Sequence, residues 1–516
     1  MNTTHQYQHP QYNRRQWLQL SSLAIGAAVF PDFVWAMDDK STQYKYHLAQ
    51  VETLAFSMPP NKTVPFNWPV AEVPVNGNNI LFNWNKKIDP KNKSAWFRIT
   101  SATDIREECT LEISLASSQQ KIGLLDIRFA HYMQPFEMPV TISQLAQIMA
   151  EGIAVKMIKG TKPFWFFVEG NNATETPDAY LPHLLLADAS PGGTSWKKRL
   201  LSLASLSTFG WMEGCVLDGI SMMAQYDKNA KKILQQHLGK YFANNTLVYE
   251  NLNNQQSAEK ISTVESILPF AMLAVENPHH AMLQKAIDFC TAHADAAGVV
   301  ADDQGENRRL KTEECYTISY PLAILAKMLN RPDLEKMAIA NLTARVKLLS
   351  NKDFIYQNSK ELEKPGFGNW ARGVGWYLLG LAKTLAVLPE NETTNALRIA
   401  FQNGAGIALR YQQPNGLWTC FLHQPETGIE TSGSASIAAA LAYGYSQKLL
   451  PPSCKEAAEK CLKGLKTYYT PDGFLTGTAQ VNKGGEGLQR NGFRVISPYT
   501  LGFIGILETS LSGKQF

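Results

Sequence analysis

Trp370, Arg372 and Trp376 stand in the stretch Gly368-Asn-Trp-Ala-Arg-Gly-Val-Gly-Trp-Tyr-Leu-Leu-Gly-Leu381, two indoles around one guanidinium that run straight into an apolar helix. An indole offers a flat apolar face with a polar edge, suited to a sugar ring. A guanidinium grips a carboxylate through paired, charge-assisted hydrogen bonds. Arg372 and Trp376 lie four residues apart and share a helix face, with Trp370 at its mouth. Gly373 and Gly375 would leave the backbone there open to an approaching ligand. The same segment could equally serve as packing at a buried helix start.

Carboxylates supply the other half of the chemistry. Glu213, Glu259, Glu313, Glu314 and Glu430 each fall at or just before the start of an apolar helical stretch. A glutamate in a first turn also complements the helix dipole or caps the helix. Gathered at one end of a ring of helices, several carboxylates beside an arginine become candidates for proton transfer and substrate binding.

Two kinds of element must position them. From about 45 to 185 the pattern is short and alternating, as in Ala95–Thr100, Cys109–Leu115, Lys121–Arg128 and Pro163–Val168, with turn clusters such as Asn76–Asn79 and Gly170–Asn172 between the runs. This predicts an antiparallel β-sandwich over 40–188, crossed by one helix from Ile142 to Val155. The character changes around Ala187–Gly193, and the rest is helical. Apolar helix starts recur near Trp211, Thr263, Thr312, Trp370, Glu430 and Ser497, about 50 to 65 residues apart. Each of the first five is followed by a more polar helix, and Trp196–Leu206 supplies an outer partner for the last. Six apolar inner and six amphipathic outer helices predict an (α/α)6 barrel over 195–516. Loops of about 13 to 25 residues collect over the N-termini of the inner helices, where the cleft is expected.

The 516 residues are 45% hydrophobic and 18% charged with a formal net charge of +4, a balance that makes no case for nucleic acid or an anionic membrane. Residues 1–36 read as a leader: Arg14-Arg15, an uncharged run from Leu20 to Phe30, then Val34-Trp35-Ala36. A twin-arginine export signal cleaved near Ala36 would place the protein in the periplasm or outside the cell. Seven scattered cysteines show neither Cys-x-x-Cys nor zinc spacing; Cys454 and Cys461 are the pair that could bridge. Nothing in the sequence calls for a metal or an organic cofactor.

Trp370-Ala-Arg-Gly-Val-Gly-Trp376-Tyr, Gly416-Leu-Trp418 and Glu430-Thr-Ser-Gly-Ser-Ala435, with Pro321 and Gly502-Phe503 in phase, resemble the motifs of the unsaturated uronyl hydrolases of glycoside hydrolase families 88 and 105, over about residues 200 to 510. The resemblance implies the (α/α)6 fold, and an activity that hydrates the C4–C5 double bond of the unsaturated uronic acid a polysaccharide lyase leaves at an oligosaccharide's non-reducing end. It further implies a catalytic aspartate at the start of the third inner helix and a supporting one before the second. Glu314 and Glu259 stand in those places. Gln357 stands where a histidine is expected. On this reading Glu314 and Glu259 are catalytic, Arg372 meets the substrate carboxylate, Trp370 and Trp376 stack on sugar faces, and Glu213, Glu313, Gln357 and Glu430 complete the binding surface.

Three alternatives stay open at this level. A saturated glycoside could be hydrolysed by a glutamate acid–base pair. The barrel could bind an oligosaccharide without catalysis. A lyase on a similar toroid would need a tyrosine or histidine base that cannot be placed.

Overall fold

The computed structural model describes residues 43–513 except 53–61, 86–87, 89–92, 170–175, 189–194, 252–254, 304, 306–307 and 360–364. The twin-arginine segment with Ala36, the Gly170–Asn172 cluster and the boundary stretch 189–193 lie outside the described residues.

Alternating stretches become strands where one face can be buried. The N-terminal region holds β1 (Tyr44–Leu48), β2 (Gln50–Glu52), β3 (Val70–Val73), β4 (Ile80–Asn83), β5 (Lys93–Thr100), β6 (Glu108–Leu115), β7 (Lys121–Arg128), β8 (Pro135–Val140), α1 (Ile142–Glu151), β9 (Ile153–Lys159), β10 (Phe164–Phe167) and β11 (His183–Asp188). They pair antiparallel in the orders β1-β11-β5-β8 and β2-β4-β9-β6-β7, with β10 on β3. Cys109, Leu111 and Ile113 of β6 point into a core shared with Phe97 and Ile99 of β5 and Leu184 and Leu186 of β11, so the two larger sheets bury a common interior. The helix expected to reach Val155 stops at Glu151. Gly152, at φ 77°, ends it, and Ile153–Lys159 leaves as a strand between β4 and β6.

The helical region repeats in pairs. Inner helices are α3 (Trp211–Ala224), α5 (Pro269–Glu276), α7 (Tyr320–Leu329), α9 (Ala371–Leu385), α11 (Thr431–Ser446) and α14 (Thr500–Leu511). Their outer partners are α4 (Lys228–Tyr241), α6 (Met282–Ala292), α8 (Pro332–Leu349), α10 (Glu392–Arg410), α12 (Pro452–Leu465) and, preceding α3, α2 (Ser195–Leu200), which packs on α14. A short α13 (Gly485–Arg490) lies in the last long loop. Each inner helix packs on the next and α14 packs on α3, so the ring closes. The closing seam is made by glycine: a Cβ on Gly502 would lie 1.9 Å from the Cys215 carbonyl oxygen, and one on Gly219 would lie 2.4 Å from that of Gly502. Any side chain there would force α3 and α14 apart.

The seven cysteines are all buried thiols. Cys454 and Cys461 do not bridge; both lie on α12, and Cys461 instead approaches the Ser434 carbonyl oxygen at 3.4 Å. Among the described residues no helix is long and apolar enough to cross a membrane.

The sheets and the ring are tied by buried charge. Asp472 accepts from Arg98 of β5 at 2.7 Å, from Arg199 of α2 at 2.8 Å and from the Tyr46 hydroxyl of β1 at 2.6 Å. Arg98 also pairs with Glu137 of β8 at 2.6 Å. The Asp472 and Arg98 side chains are wholly buried, so this lock depends on every charge keeping its partner.

A candidate active site at the helix N-termini

The six inner helices present their N-termini to one end of the ring, and the long loops there fold back in short strands. Leu310–Lys311 pairs with Tyr356–Ser359, which pairs with Gly366–Gly368. This small sheet brings Gln357 beside the start of the third inner helix, where the Thr312 N–H donates to the Gln357 carbonyl oxygen at 2.8 Å. A pocket opens among these ends. Its walls are Trp211 and Met212 of α3, Glu265, Glu313, Trp370, Arg372 and Trp376, the loop residues Val481, Asn482 and Lys483, and Asp104 and His131 from the β region.

Glu313 is the carboxylate that the third inner helix gives to this pocket. Its Oε2 accepts from Gln357 Nε2 at 2.6 Å. Burial, then the charge of Glu265, pushes its carboxyl up to about 7, against the pull of Lys311 and the Gln357 hydrogen bond. Glu265 lies in the tight turn Val264–Ile267 that leads into α5. Lys311 Nζ holds Glu265 Oε1 at 3.1 Å and Asp302 Oδ2 at 3.4 Å, and Asp302 Oδ1 accepts the Val264 N–H at 2.8 Å. Foremost through Glu265, these carboxylates raise the Lys311 ammonium above its ordinary value, so it stays charged. The result is two pocket carboxyls in unlike settings, one kept protonated up to about neutral pH and one paired with a lysine. That contrast is what acid–base chemistry needs.

Neither Glu314 nor Glu259, the two residues the resemblance puts in catalytic places, lines this pocket. Glu314 is fully buried, its Oε2 accepting from Arg345 at 2.6 Å and from the Lys311 N–H at 3.1 Å. Burial raises its carboxyl against the pull of Arg345 and Lys311. A π turn, Cys315–Ser319, lies between the two glutamates Glu313 and Glu314 and α7. It inserts an extra residue into the helical repeat just after them, so α-helical spacing does not carry across it. Glu259 is exposed on a loop at φ 52° and does not line the pocket; Glu265 of the second repeat does.

The remaining candidates divide. Trp370 and Trp376 line the pocket, and Trp376 packs against Trp211, Tyr316 and Phe503 at ring-centroid distances of 5.4, 6.0 and 5.4 Å. Arg372 also lines it, with its guanidinium carbon 4.5 Å from the centre of the Trp370 ring. Its donors, however, go to protein: Nη1 to the Ala479 carbonyl at 2.7 Å and the Tyr499 hydroxyl at 3.0 Å, Nη2 to the Gln480 carbonyl at 2.8 Å. It clamps the loop before α14. Glu430 caps α11, taking the Ser432, Gly433 and Ala479 N–H groups at 2.9, 2.6 and 2.8 Å, and is not a pocket group. Glu213 lies in the packing between α3 and α4, held by His237 Nδ1 at 2.7 Å and the Ser207 N–H at 2.8 Å. Gly373 and Gly375 allow close packing: a Cβ on Gly375 would sit 1.9 Å from Ser436 Oγ of α11, and one on Gly373 3.1 Å from Gln357 Cβ in the strand Tyr356–Ser359.

Sequence reasoning passed over Glu265, Asp104, His131 and Lys483. Glu265 was within reach, since it stands in the first turn of an inner stretch placed to start near Thr263. The other three carried no local signal, because contacts across hundreds of residues bring them here. His131 is held neutral, its imidazole pushed down to about 4 by burial, with Nδ1 3.0 Å from the Tyr132 carbonyl oxygen.

The sequence pattern of Glycosyl Hydrolase Family 88 matches residues 194–509. Over 127 residues the chain is 34% identical to an unsaturated 3S-rhamnoglycuronyl hydrolase of Formosa agariphila, an alignment that takes in 23% of this chain and 34% of that protein. The chain thus spans about a third of the length of this curated relative. Among solved structures it is similar to a glycoside hydrolase of family 105 from C. acetobutylicum, with a TM-score of 0.52, 20% identity, and 61% of this chain and 99% of that one covered. A possible family 105 member from Salmonella enterica gives a TM-score of 0.52 at 21% identity, covering 58% and 82%. At these identities the likeness to the two structures is one of fold.

Proposed function

The chain belongs to glycosyl hydrolase family 88 and is a glycoside hydrolase, and from that premise we propose that it removes a terminal unsaturated uronic acid from oligosaccharides by hydrating the C4–C5 double bond. The observation that carries this reading is Glu313, a pocket carboxyl pushed up to about 7 and held by Gln357 beside the lysine-paired Glu265.

The double bond of such a sugar is an enol ether. Protonation at C4 leaves a cation at C5 that the ring oxygen stabilises. Glu313, protonated, gives its proton to C4 and becomes a carboxylate. Water adds at C5 and loses its proton to that carboxylate, which restores the acid. The C5 hemiketal then opens the ring and frees the remaining saccharide. Glu265, fixed by Lys311, keeps Glu313 protonated through its charge and orients the water. Trp370 and Trp376 form apolar walls for the sugar.

In the same reading the N-terminal sheets are a β-sandwich over 40–188 joined to an (α/α)6 barrel over 195–516, and Arg14-Arg15 through Ala36 export the folded enzyme from the cytoplasm. Fractionation of cells expressing the full chain and its Arg14→Lys, Arg15→Lys variant tests the export.

The direct test of the reaction supplies 4,5-unsaturated uronyl disaccharides and follows the ultraviolet absorbance of the conjugated double bond. Loss of absorbance with release of the second sugar is expected. Sugar release from a saturated uronide, with the unsaturated one untouched, would overturn the hydration in favour of ordinary hydrolysis.

A further inference from the structure

Two walls of the pocket, Asp104 and His131, come from outside the stretch that the family pattern covers. Asp104 reaches Lys483, in the loop before α14, with Nζ 3.2 Å from Oδ1 and 3.3 Å from Oδ2. The bridge joins the β region to the ring at the edge of the site. Its two members differ in cover: the Asp104 side chain is 2% exposed and the Lys483 side chain 28%. Burial pulls the Lys483 ammonium below its ordinary value and Asp104 draws it partly back, so its charge leans on having an anion beside it.

Arg372 and Lys483 are the lysine and arginine side chains that line this pocket. Arg372 is committed to the Ala479 and Gln480 carbonyls and to Tyr499, and so holds the strand end that leads to Lys483. Lys483, in contrast, meets a side-chain carboxylate that a ligand carboxylate can replace. The cavity measures about 80 Å3, against roughly 300–1,000 Å3 for ordinary small-molecule sites, so a sugar enters only if a wall gives way. Asp104 is also held by Arg106 Nε at 2.7 Å, so a Lys483 that turns to a ligand leaves Asp104 with a partner.

Building on the uronide reading above, we propose that Lys483 recognises the substrate's carboxylate by exchanging its Asp104 partner for it, which makes the β region part of the specificity site. Asp104 competes with the substrate for the ammonium. An acidic terminal sugar displaces it; a neutral one has nothing to offer in return.

The test is steady-state kinetics of the full chain on a 4,5-unsaturated uronyl disaccharide and on its methyl ester, with thermal melts to confirm folding. Lys483→Met should raise KM for the acid about 10- to 100-fold more than for the ester, the loss of one hydrogen bond between charged groups. Asp104→Asn should move KM for the acid the opposite way, downward, because the competitor is gone. Equal effects of Lys483→Met on acid and ester, or a rise in KM in Asp104→Asn, would overturn the proposal and leave the pair a structural strut. If the wild-type chain turns over neither disaccharide, the uronide reading fails separately. Calorimetry with free glucuronate then decides the carboxylate site: weaker binding in Lys483→Met supports it, and binding equal to wild type, or none by either protein, overturns it.

Discussion

Gln357 Nε2 donates to Glu313 Oε2 at 2.6 Å, so the side chain that stands where the family resemblance leads one to expect histidine holds the pocket carboxyl in place. The bond favours the ionised form and holds the Glu313 carboxyl below where burial and Glu265 alone would put it. If Glu313 is the proton donor, activity falls as pH rises through about 7. Gln357→Leu removes the donor, raises the carboxyl further and moves that fall to higher pH, by about one unit for one hydrogen bond to a charged group. The pH profile of kcat/KM checks it; a shift to lower pH would contradict the assignment.

Arg372 is predicted to matter for stability before it matters for binding. Arg372→Ala removes the guanidinium donors to the Ala479 carbonyl, the Tyr499 hydroxyl and the Gln480 carbonyl, the last of which keeps Gln489 Nε2 at 2.9 Å, and should cost about 2–4 kcal/mol in denaturant unfolding. A variant as stable as wild type, with only KM raised, would return Arg372 to the substrate.

Asp472 locks the sheets to the ring. Burial pushes its carboxyl up, but Arg98 and Arg199 hold it well below the ordinary carboxylate range. A carboxyl depressed in the folded state adds stability above its unfolded pKa, and that stability is lost as pH falls below it. Asp472→Asn should therefore cost about 3–5 kcal/mol near neutral pH, by stranding two buried arginines, and should lose less of its remaining stability than wild type on acidification from about pH 5 to pH 3. Urea unfolding at both pH values measures this; parallel losses in the two proteins would contradict it.

The ring was legible because its signals are local and repeated. Apolar and amphipathic helices alternate at a near-constant period, and the Trp370–Trp376 segment marks one N-terminus whatever surrounds it. The strands were legible for the same reason: Cys109, Leu111 and Ile113 alternate with polar neighbours. What sequence missed is set by geometry it does not encode. A π turn of five residues follows Glu313 and Glu314, and only Glu313 of the two lines the pocket. The carbonyl acceptors that hold Arg372 lie more than a hundred residues away in the chain. Asp104 and Lys483 lie 379 residues apart, and no local pattern announces such a meeting.

The central claim is that Glu313, not Glu314, gives the proton. Glu313→Gln and Glu314→Gln should be compared on an unsaturated uronyl disaccharide, with unfolding measured alongside turnover. Glu313→Gln is predicted to lose roughly 100- to 10,000-fold in kcat while still folding and binding the disaccharide. Glu314→Gln is predicted to remain catalytic but to lose about 3–5 kcal/mol of stability, because Arg345 is left buried without its charge partner. A Glu313→Gln enzyme that turns over normally beside a stable but inactive Glu314→Gln would contradict the account.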